Sequence, residues 1–96
     1  MPTLRLELQI RDFDLWRSAF ARDFGQRRQS GMRRYRIARP LDDPNYVMID
    51  ADFDGAGEIE SYLTKMREVW QSRESAPALV GSPRVRILET VEVKEY

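Results

Sequence analysis

The chain has 96 residues, which is enough for one small domain, and we expect a single domain over residues 1–96. It contains no cysteine and no histidine, which excludes disulfides, cysteine-based zinc sites, histidine-bound haem and Ser-His or Cys-His catalysis. Sixteen basic and sixteen acidic residues give a net charge of zero, which argues against a dedicated nucleic-acid binder.

The first elements of the chain follow from two changes in hydrophobic periodicity. Residues 3–11 alternate between apolar and polar side chains, which predicts a strand with one buried face. Apolar side chains then recur at three- and four-residue steps, namely at Phe13, Trp16, Phe20 and Phe24. This spacing predicts an amphipathic helix that begins at Asp12 or Asp14 and ends near Ser30 and Gly31.

The middle of the chain predicts a β-hairpin. Alternating segments at 32–39 and 46–54 flank a cluster of turn residues at 40–45. Matching the apolar faces of the two strands places Ile37 opposite Val47. The same register pairs Arg34 with Asp50 and Arg36 with Met48. The arginine-rich strand then lies beside an acidic strand, where each opposite-charge pair contributes about 0.2–1 kcal/mol. This neutralisation again disfavours nucleic-acid binding.

The last third of the chain predicts a helix and a strand separated by a loop. A second helical pattern begins at Glu58 and ends at Trp70. A loop over 72–83 follows, with one short helical turn at 78–80. A final strand is predicted over 84–96, and the change in its alternation from Leu88 onward indicates a bulge or a change of pairing partner.

The element order β-α-β-β-α-β is that of a ferredoxin-like fold, a two-layer α+β sandwich with a four-stranded antiparallel sheet. We expect the first and third strands to be central. The predicted helix-facing core consists of Leu6, Leu8, Phe20, Ile37, Val47, Ile49, Leu63 and Ile87.

At the level of motifs, the chain resembles the dimeric α+β barrel proteins related to antibiotic-biosynthesis monooxygenases. The resemblance covers nearly the whole length and rests on residues 11–20, 42–47 and 82–89, with Gly31 and the Phe53-Asp54 pair. It implies a homodimer in which two sheets face each other, and a small pocket between the sheet and the helices of each subunit. The missing histidine departs from the haem-degrading branch of this group, so haem chemistry is not expected.

Several aromatic side chains are candidates for lining that pocket, because rings with polar tips suit flat organic ligands. The candidate ligand-binding residues are Trp16, Tyr35, Tyr62 and Trp70, with Arg36 as a charge that positions an enolate or phenolate. All four aromatic residues also lie on apolar stripes, so a packed core without a pocket is the alternative interpretation. The carboxylate pairs at 42–43 and 50–52 are typical of turns and ion pairs, and we expect neither a metal nor another cofactor.

Three functions therefore remain open: a homodimeric small-molecule-binding protein, a cofactor-independent monooxygenase or cyclase-like enzyme acting on an aromatic or polyketide-type compound, and a structural interaction module. No segment contains the roughly 18 consecutive apolar residues of a membrane-spanning helix, and no signal peptide is apparent. We expect a cytoplasmic protein with no membrane partner. The polar face of the sheet, which also carries Tyr46, Met48 and Leu88, predicts a dimer interface, with the last strand reaching toward the partner.

Overall fold

The computed structural model describes residues 1–73 and 76–96. The elements are β1 (Thr3–Ile10), α1 (Phe13–Ala21), β2 (Met32–Ala38), β3 (Tyr46–Phe53), α2 (Ala56–Trp70), a 3₁₀ turn (Ala76–Ala78) and β4 (Leu79–Leu88). The strands form one antiparallel sheet in the order β2-β3-β1-β4, so β1 and β3 are central. The ferredoxin-like β-α-β-β-α-β prediction is confirmed.

Helix α1 begins as predicted but ends early. The Asp12 carboxylate accepts a hydrogen bond of 2.8 Å from the backbone N–H of Leu15, which satisfies one of the free donors of the first turn. The predicted end near Ser30 and Gly31 is wrong, because the helix ends at Ala21. Asp23 and Gln26 adopt φ angles of 54° and 51°, a left-handed conformation that cannot continue a right-handed helix. Residues 22–31, called the connecting segment below, instead form a series of turns.

Helix α2 begins two residues earlier than predicted, at Ala56, with Gly55 as its N-cap. The glycine provides no side chain to cap the first turn. The apolar stripe is correctly predicted, since Ile59, Tyr62 and Leu63 are buried.

The core lies between the sheet and the helices. The alternation in β1 and β3 places these side chains toward the helices, each at most 6% exposed: Leu4, Leu6, Leu8, Ile10, Val47, Ile49, Ala51 and Phe53. Of the predicted core, Phe20 and Ile37 are partly buried and pack against this cluster. The prediction for Ile87 is wrong, because it is 41% exposed although its cross-strand neighbour Leu4 is fully buried. Ile87 lies on the edge strand β4 and has no strand on its other side.

The hairpin register differs from the prediction by two residues. Ile37 lies opposite Ile49, not Val47. The arginine pairs change accordingly, so that Arg34 lies opposite Asp52 and Arg36 opposite Asp50. A shift of two residues leaves every side chain on its predicted face, so apolar matching alone does not distinguish the two registers. In the observed register both arginines lie opposite an acid.

The end of the chain departs most from the prediction. The helical turn lies at Ala76–Ala78 rather than 78–80, and β4 spans Leu79–Leu88 rather than 84–96. The loop predicted over 72–83 includes residues 74 and 75, which lie outside the described residues. The pairing of β4 is also irregular at a different place from the one predicted. Its register with β1 shifts between Glu7 and Gln9 of β1, beside the first half of β4, and not from Leu88 onward. Residues 89–96 pair with no strand, and Val91 and Val93 are 89% and 79% exposed.

Candidate functional site

The structure separates the five side chains predicted to bind a ligand. Trp16 and Tyr62 are buried, at 5% and 2% exposure, while Tyr35 is 48% exposed at the sheet edge. Trp70 is partly buried at the end of α2. Arg36 lies on the opposite face of the sheet, where it faces Asp50. Trp16 and Trp70 line one cavity on the helix side, and Tyr35 and Arg36 line a separate groove on the other side of the sheet.

A row of aromatic rings links α1 to β2. The ring centroids of Trp16 and Phe20 are 5.1 Å apart, and Phe20 meets the edge of Tyr35 at 5.3 Å with an interplanar angle of 77°. Tyr62 does not belong to this row, because its ring packs against Phe53 with centroids 5.3 Å apart. Edge-to-face contacts of this kind add about 0.5–1.5 kcal/mol beyond area burial.

A small cavity lies between the helices at one end of this row. Its volume is about 40 Å³. The side chains that line this helix-side cavity are mainly apolar: Trp16, Ala19, Phe20, Phe24, Arg27, Met66, Val69, Trp70, Ala78 and Leu79. A dry cavity of about 150 Å³ holds one benzene ring, so this cavity must widen before it holds an aromatic molecule.

Arg27 is the charged side chain among the lining residues, and the sequence reasoning did not identify it. Its guanidinium carbon lies 3.6 Å from the centroid of the Phe20 ring, and its side chain is only 15% exposed. Nη2 donates to the backbone carbonyl of Phe20, and Nη1 lies 3.3 Å from the Asp23 carboxylate. The buried Nε–H meets no acceptor among the described residues. Leaving such a donor unpaired costs about 1–3 kcal/mol.

Arg27 also acts on the buried phenol of Tyr62. Burial raises the pKa of Tyr62, and the positive charge of the nearby Arg27 guanidinium partly opposes this rise. Because the net direction is upward, Tyr62 stays a neutral phenol at neutral pH. It therefore supplies the interior with a hydrogen-bond donor and not with a base.

The connecting segment contacts α2 at Gly25 and Ser30. Gly25 is buried so close to Tyr62 that a Cβ built on it would lie 2.6 Å from Cε1 of the tyrosine ring. The Ser30 hydroxyl donates to the Gly25 carbonyl at 2.8 Å, and Lys65 Nζ donates to the Ser30 hydroxyl at 2.9 Å. These contacts set the position of the segment that carries Phe24 and Arg27.

The opposite face of the sheet, called the outer face below, is covered by ion pairs. Arg5 donates from Nε and Nη2 to the two carboxylate oxygens of Asp50, at 2.8 and 2.9 Å. Arg36 lies 3.8 Å from the same carboxylate. These contacts, led by the hydrogen bonds from Arg5, hold the pKa of Asp50 below its ordinary value.

A second set of polar contacts extends this pattern along the sheet. Thr3 and Arg34 each donate to Asp52 at 2.5 Å, and both hydrogen bonds lower the pKa of that carboxyl. The Tyr46 hydroxyl donates to Glu7 at 2.8 Å, and this bond raises the pKa of the phenol. The outer face thus pairs most of its charges within the single chain.

An open groove of about 620 Å³ crosses the outer face. It is lined by Thr3, Arg34, Tyr35, Arg36, Asp50, Asp52, Leu88, Glu89 and Thr90. The groove is larger than the helix-side cavity, but it is open to solvent and mainly polar. The helix-side cavity has the more apolar lining, which suits an aromatic ring once the cavity has widened. Within residues 1–73 and 76–96, no three acidic side chains are grouped as metal ligands. No helix in these ranges is long and apolar enough to cross a membrane.

Comparison with solved structures places this arrangement among known folds. SnoaB, a cofactor-independent oxygenase from Streptomyces nogalater, is 16% identical, with 96% of this chain and 94% of that chain covered and a TM-score of 0.74. A Bordetella bronchiseptica protein assigned to the antibiotic biosynthesis monooxygenases is 8% identical, with coverage of 95% and 97% and a TM-score of 0.75. The chain has the fold of the antibiotic biosynthesis monooxygenases. The resemblance predicted from the sequence is therefore confirmed for the fold.

The same fold also occurs in proteins without an assigned activity. NE2512, a protein of unknown function from Nitrosomonas europaea, is 13% identical, with coverage of 99% and 93% and a TM-score of 0.72. The sequence matches no family model, and no curated protein matches it significantly. At these identities the likeness establishes the fold, and the function has to be argued from the site.

Proposed function

We propose that the chain is a homodimeric protein that binds a small aromatic molecule at the helix-side cavity. The observation that carries this proposal is the lining of that cavity, which both tryptophans of the chain and two phenylalanines share with the partly buried Arg27. Aromatic walls with one fixed polar group are typical of sites for flat organic molecules.

Binding requires the cavity to widen, and the connecting segment is the wall suited to move. Phe24 lies on this segment and is 39% exposed, whereas Trp16 on α1 is buried. Outward rotation of the Phe24 ring enlarges the cavity while both tryptophans stay in place. An incoming ring then stacks on the tryptophans and replaces the contacts that Phe24 gives up.

Tryptophan fluorescence tests this proposal directly, since Trp16 and Trp70 both line the cavity. Titration of the full chain with 2-naphthalenemethanol is expected to change the emission saturably. Phe24→Ala should bind this probe more tightly, because it removes the ring that fills the entrance. Leu15→Ala, a truncation of a 49% exposed side chain on α1 that does not line the cavity, is the control and should leave the affinity unchanged. No saturable change in any variant would favour a structural module.

The dimer is proposed to form through the outer face. Met48 and Leu88 lie half-buried among its ion pairs, and residues 89–96 extend beyond β4 with exposed Val91 and Val93. A second copy that faces this surface would cover these apolar groups and bring further opposite charges together. Such an isologous contact should bury more than about 1,000 Å² in total, the size of a stable interface.

Sedimentation equilibrium at micromolar concentration is the test of the dimer. The unmodified chain should sediment as a dimer, and Met48→Lys should sediment as a monomer, because it adds an unpaired charge to the interface. Leu15→Lys makes the same kind of change on the helix side and should remain dimeric. A monomeric unmodified chain would contradict this part of the proposal.

A cofactor-independent oxygenase or cyclase-like activity is the second candidate, and the fold shared with SnoaB is the observation that favours it. The test is oxygen uptake in the presence of a phenol such as 1-naphthol, without added flavin or metal. Uptake that is lost in a Trp70→Ala variant would identify an enzyme. Binding of the phenol without oxygen uptake would identify a binding protein.

A further inference from the structure

We infer that the helix-side cavity selects aromatic molecules that carry an ionised oxygen, and that Arg27 is the residue that selects them. This inference rests on the proposed function, because it concerns the ligand of the same cavity. It adds a chemical class to that ligand and assigns a role to a side chain that the sequence patterns did not single out.

Arg27 has one buried N–H donor without an acceptor among the described residues. Two of its nitrogens are engaged, Nη2 by the Phe20 carbonyl and Nη1 by Asp23 at 3.3 Å. Nε is buried and has no acceptor among the described residues. An ionised oxygen bound in a widened cavity would be an acceptor for this donor, and such charge-assisted bonds are about twice as strong as neutral ones.

The charges around Arg27 favour an anionic ligand in the cavity. The other described residues that line the cavity are apolar and include no carboxylate. Asp23, its ion-pair partner, is 42% exposed, whereas the Arg27 side chain is 15% exposed. Solvent therefore screens the carboxylate more than the guanidinium, and the interior of the cavity is left with a positive potential.

Neighbouring aromatic rings restrain the guanidinium of Arg27. Its guanidinium stacks on Phe20 at 3.6 Å and lies 5.8 Å from the Tyr35 ring, so its plane is held by aromatic contacts. A donor held in this way loses little freedom when it binds an oxygen. A ligand with its oxygen at Arg27 places its ring against the aromatic lining of the same cavity.

An independent observation concerns the other side of Arg27. A groove of about 560 Å³ at the β2 edge is lined by Arg27, Arg28, Met32, Arg33, Arg34 and Tyr35. Aspartates beside this groove pair with Arg27, Arg33 and Arg34, so its attraction for anions comes mainly from Arg28, which has no ion pair among the described residues. Arg27 belongs to both concavities, and an anionic aromatic molecule therefore meets a favourable potential outside the cavity as well as within it.

Isothermal titration calorimetry of the full chain at neutral pH tests the inference with two probes that share one ring system. The probes are 2-naphthoate, which is ionised, and 2-naphthalenemethanol, which is neutral. We expect 2-naphthoate to bind at least about tenfold more tightly, the ratio that one hydrogen bond to a charged group supplies.

Variants of Arg27 test whether this residue causes the preference for 2-naphthoate over 2-naphthalenemethanol. Arg27→Met should reduce the ratio of the two affinities to about one, and Arg27→Lys, which keeps the charge but loses Nε, should give an intermediate ratio. Arg17→Met removes an exposed arginine of α1 that lines neither concavity, and it should keep the ratio of the unmodified chain. If Arg27→Met does not fold, the unmodified chain and Arg27→Lys decide the outcome.

The possible results separate this inference from the proposed function. Equal affinities for the two probes in the unmodified chain, or a preference that survives in both Arg27 variants, would overturn the inference and leave the aromatic site standing. Failure of both probes to bind would overturn the proposed function and the inference together.

Discussion

Replacement of Gly25 by alanine should destabilise the protein and disturb the helix-side cavity. The added Cβ would lie 2.6 Å from Tyr62 Cε1 and 2.9 Å from Met66 Sδ, both well inside ordinary van der Waals contact. Met66 is flexible and can move aside, but the Tyr62 ring cannot. Tyr62 is 2% exposed and packs against Phe53, which is fully buried.

The expected loss of stability follows from the difference between the flexible Met66 and the immobile Tyr62 ring. Overpacking of a core costs about 1–3 kcal/mol, and a clash with an immobile ring belongs in the upper part of that range. For a domain of this size, a loss of about 2 kcal/mol lowers the Tm by roughly 8–16 °C. The connecting segment that carries Phe24 and Arg27 should also move away from α2, so the affinity for the naphthalene probes should fall.

Thermal unfolding followed by circular dichroism measures this effect, with Gly57→Ala as the matched control. Gly57 lies in the first turn of α2, and a Cβ there would meet nothing within 4 Å. The same chemical change should therefore raise the free energy of unfolding at Gly57, by up to about 1 kcal/mol, through helix propensity. Equal Tm values for the two variants would refute the close approach of the connecting segment to α2.

Three further predictions concern stability. Because Arg5 holds the pKa of Asp50 below its ordinary value of 3.8, the ion pair stabilises the fold above about pH 4, and this contribution disappears as pH falls through the lowered value. Urea titrations should therefore show that Asp50→Asn costs up to about 1 kcal/mol at neutral pH and progressively less as the pH falls below about 4, and a pH-independent cost would contradict this. Asp12→Ala should lower the free energy of unfolding by about 1 kcal/mol through loss of the N-cap, and Asp14→Ala, which removes no capping bond, should cost less. Phe53→Ala empties a fully buried position and should cost about 3–5 kcal/mol in the same titrations, so a loss below about 1 kcal/mol would refute its place in the core.

The fold was predictable because each element carries its own periodic signal. Strict alternation in β1 and β3 identified the buried faces, and the aspartates at 12 and 14 indicated the start of α1, where the structure shows Asp12 as the N-cap. The hairpin register was not predictable in the same way, since a shift of two residues preserves every face. The end of α1 was missed because Phe24 continues the helical spacing, whereas the backbone turns away at Asp23.

The candidate site was predictable only in part. Trp16 and Trp70 were correctly placed on helical faces that meet, because each lies on an apolar stripe. Arg36 is separated from them by the sheet, which follows from its place in the alternation of β2. Arg27 was hidden within a run of arginines. Its spacing of four from Asp23 was a signal, but the burial of its side chain depends on turns that no periodicity describes.

The early end of α1 also affects how the protein opens. The connecting segment between Ala21 and Met32 has few of the repeating backbone hydrogen bonds of a helix or strand, and it is attached mainly through turn contacts, Arg27 and the Ser30 bonds. Regions held in this way open locally, at a free-energy cost well below that of global unfolding. Native-state hydrogen exchange should therefore show the amides of residues 22–31 exchanging through a separate, low-energy opening, while those of β1 and β3 exchange only when the whole domain unfolds. A wall of the helix-side cavity would then fluctuate within an otherwise rigid molecule, which gives a ligand access to the interior without loss of the sheet.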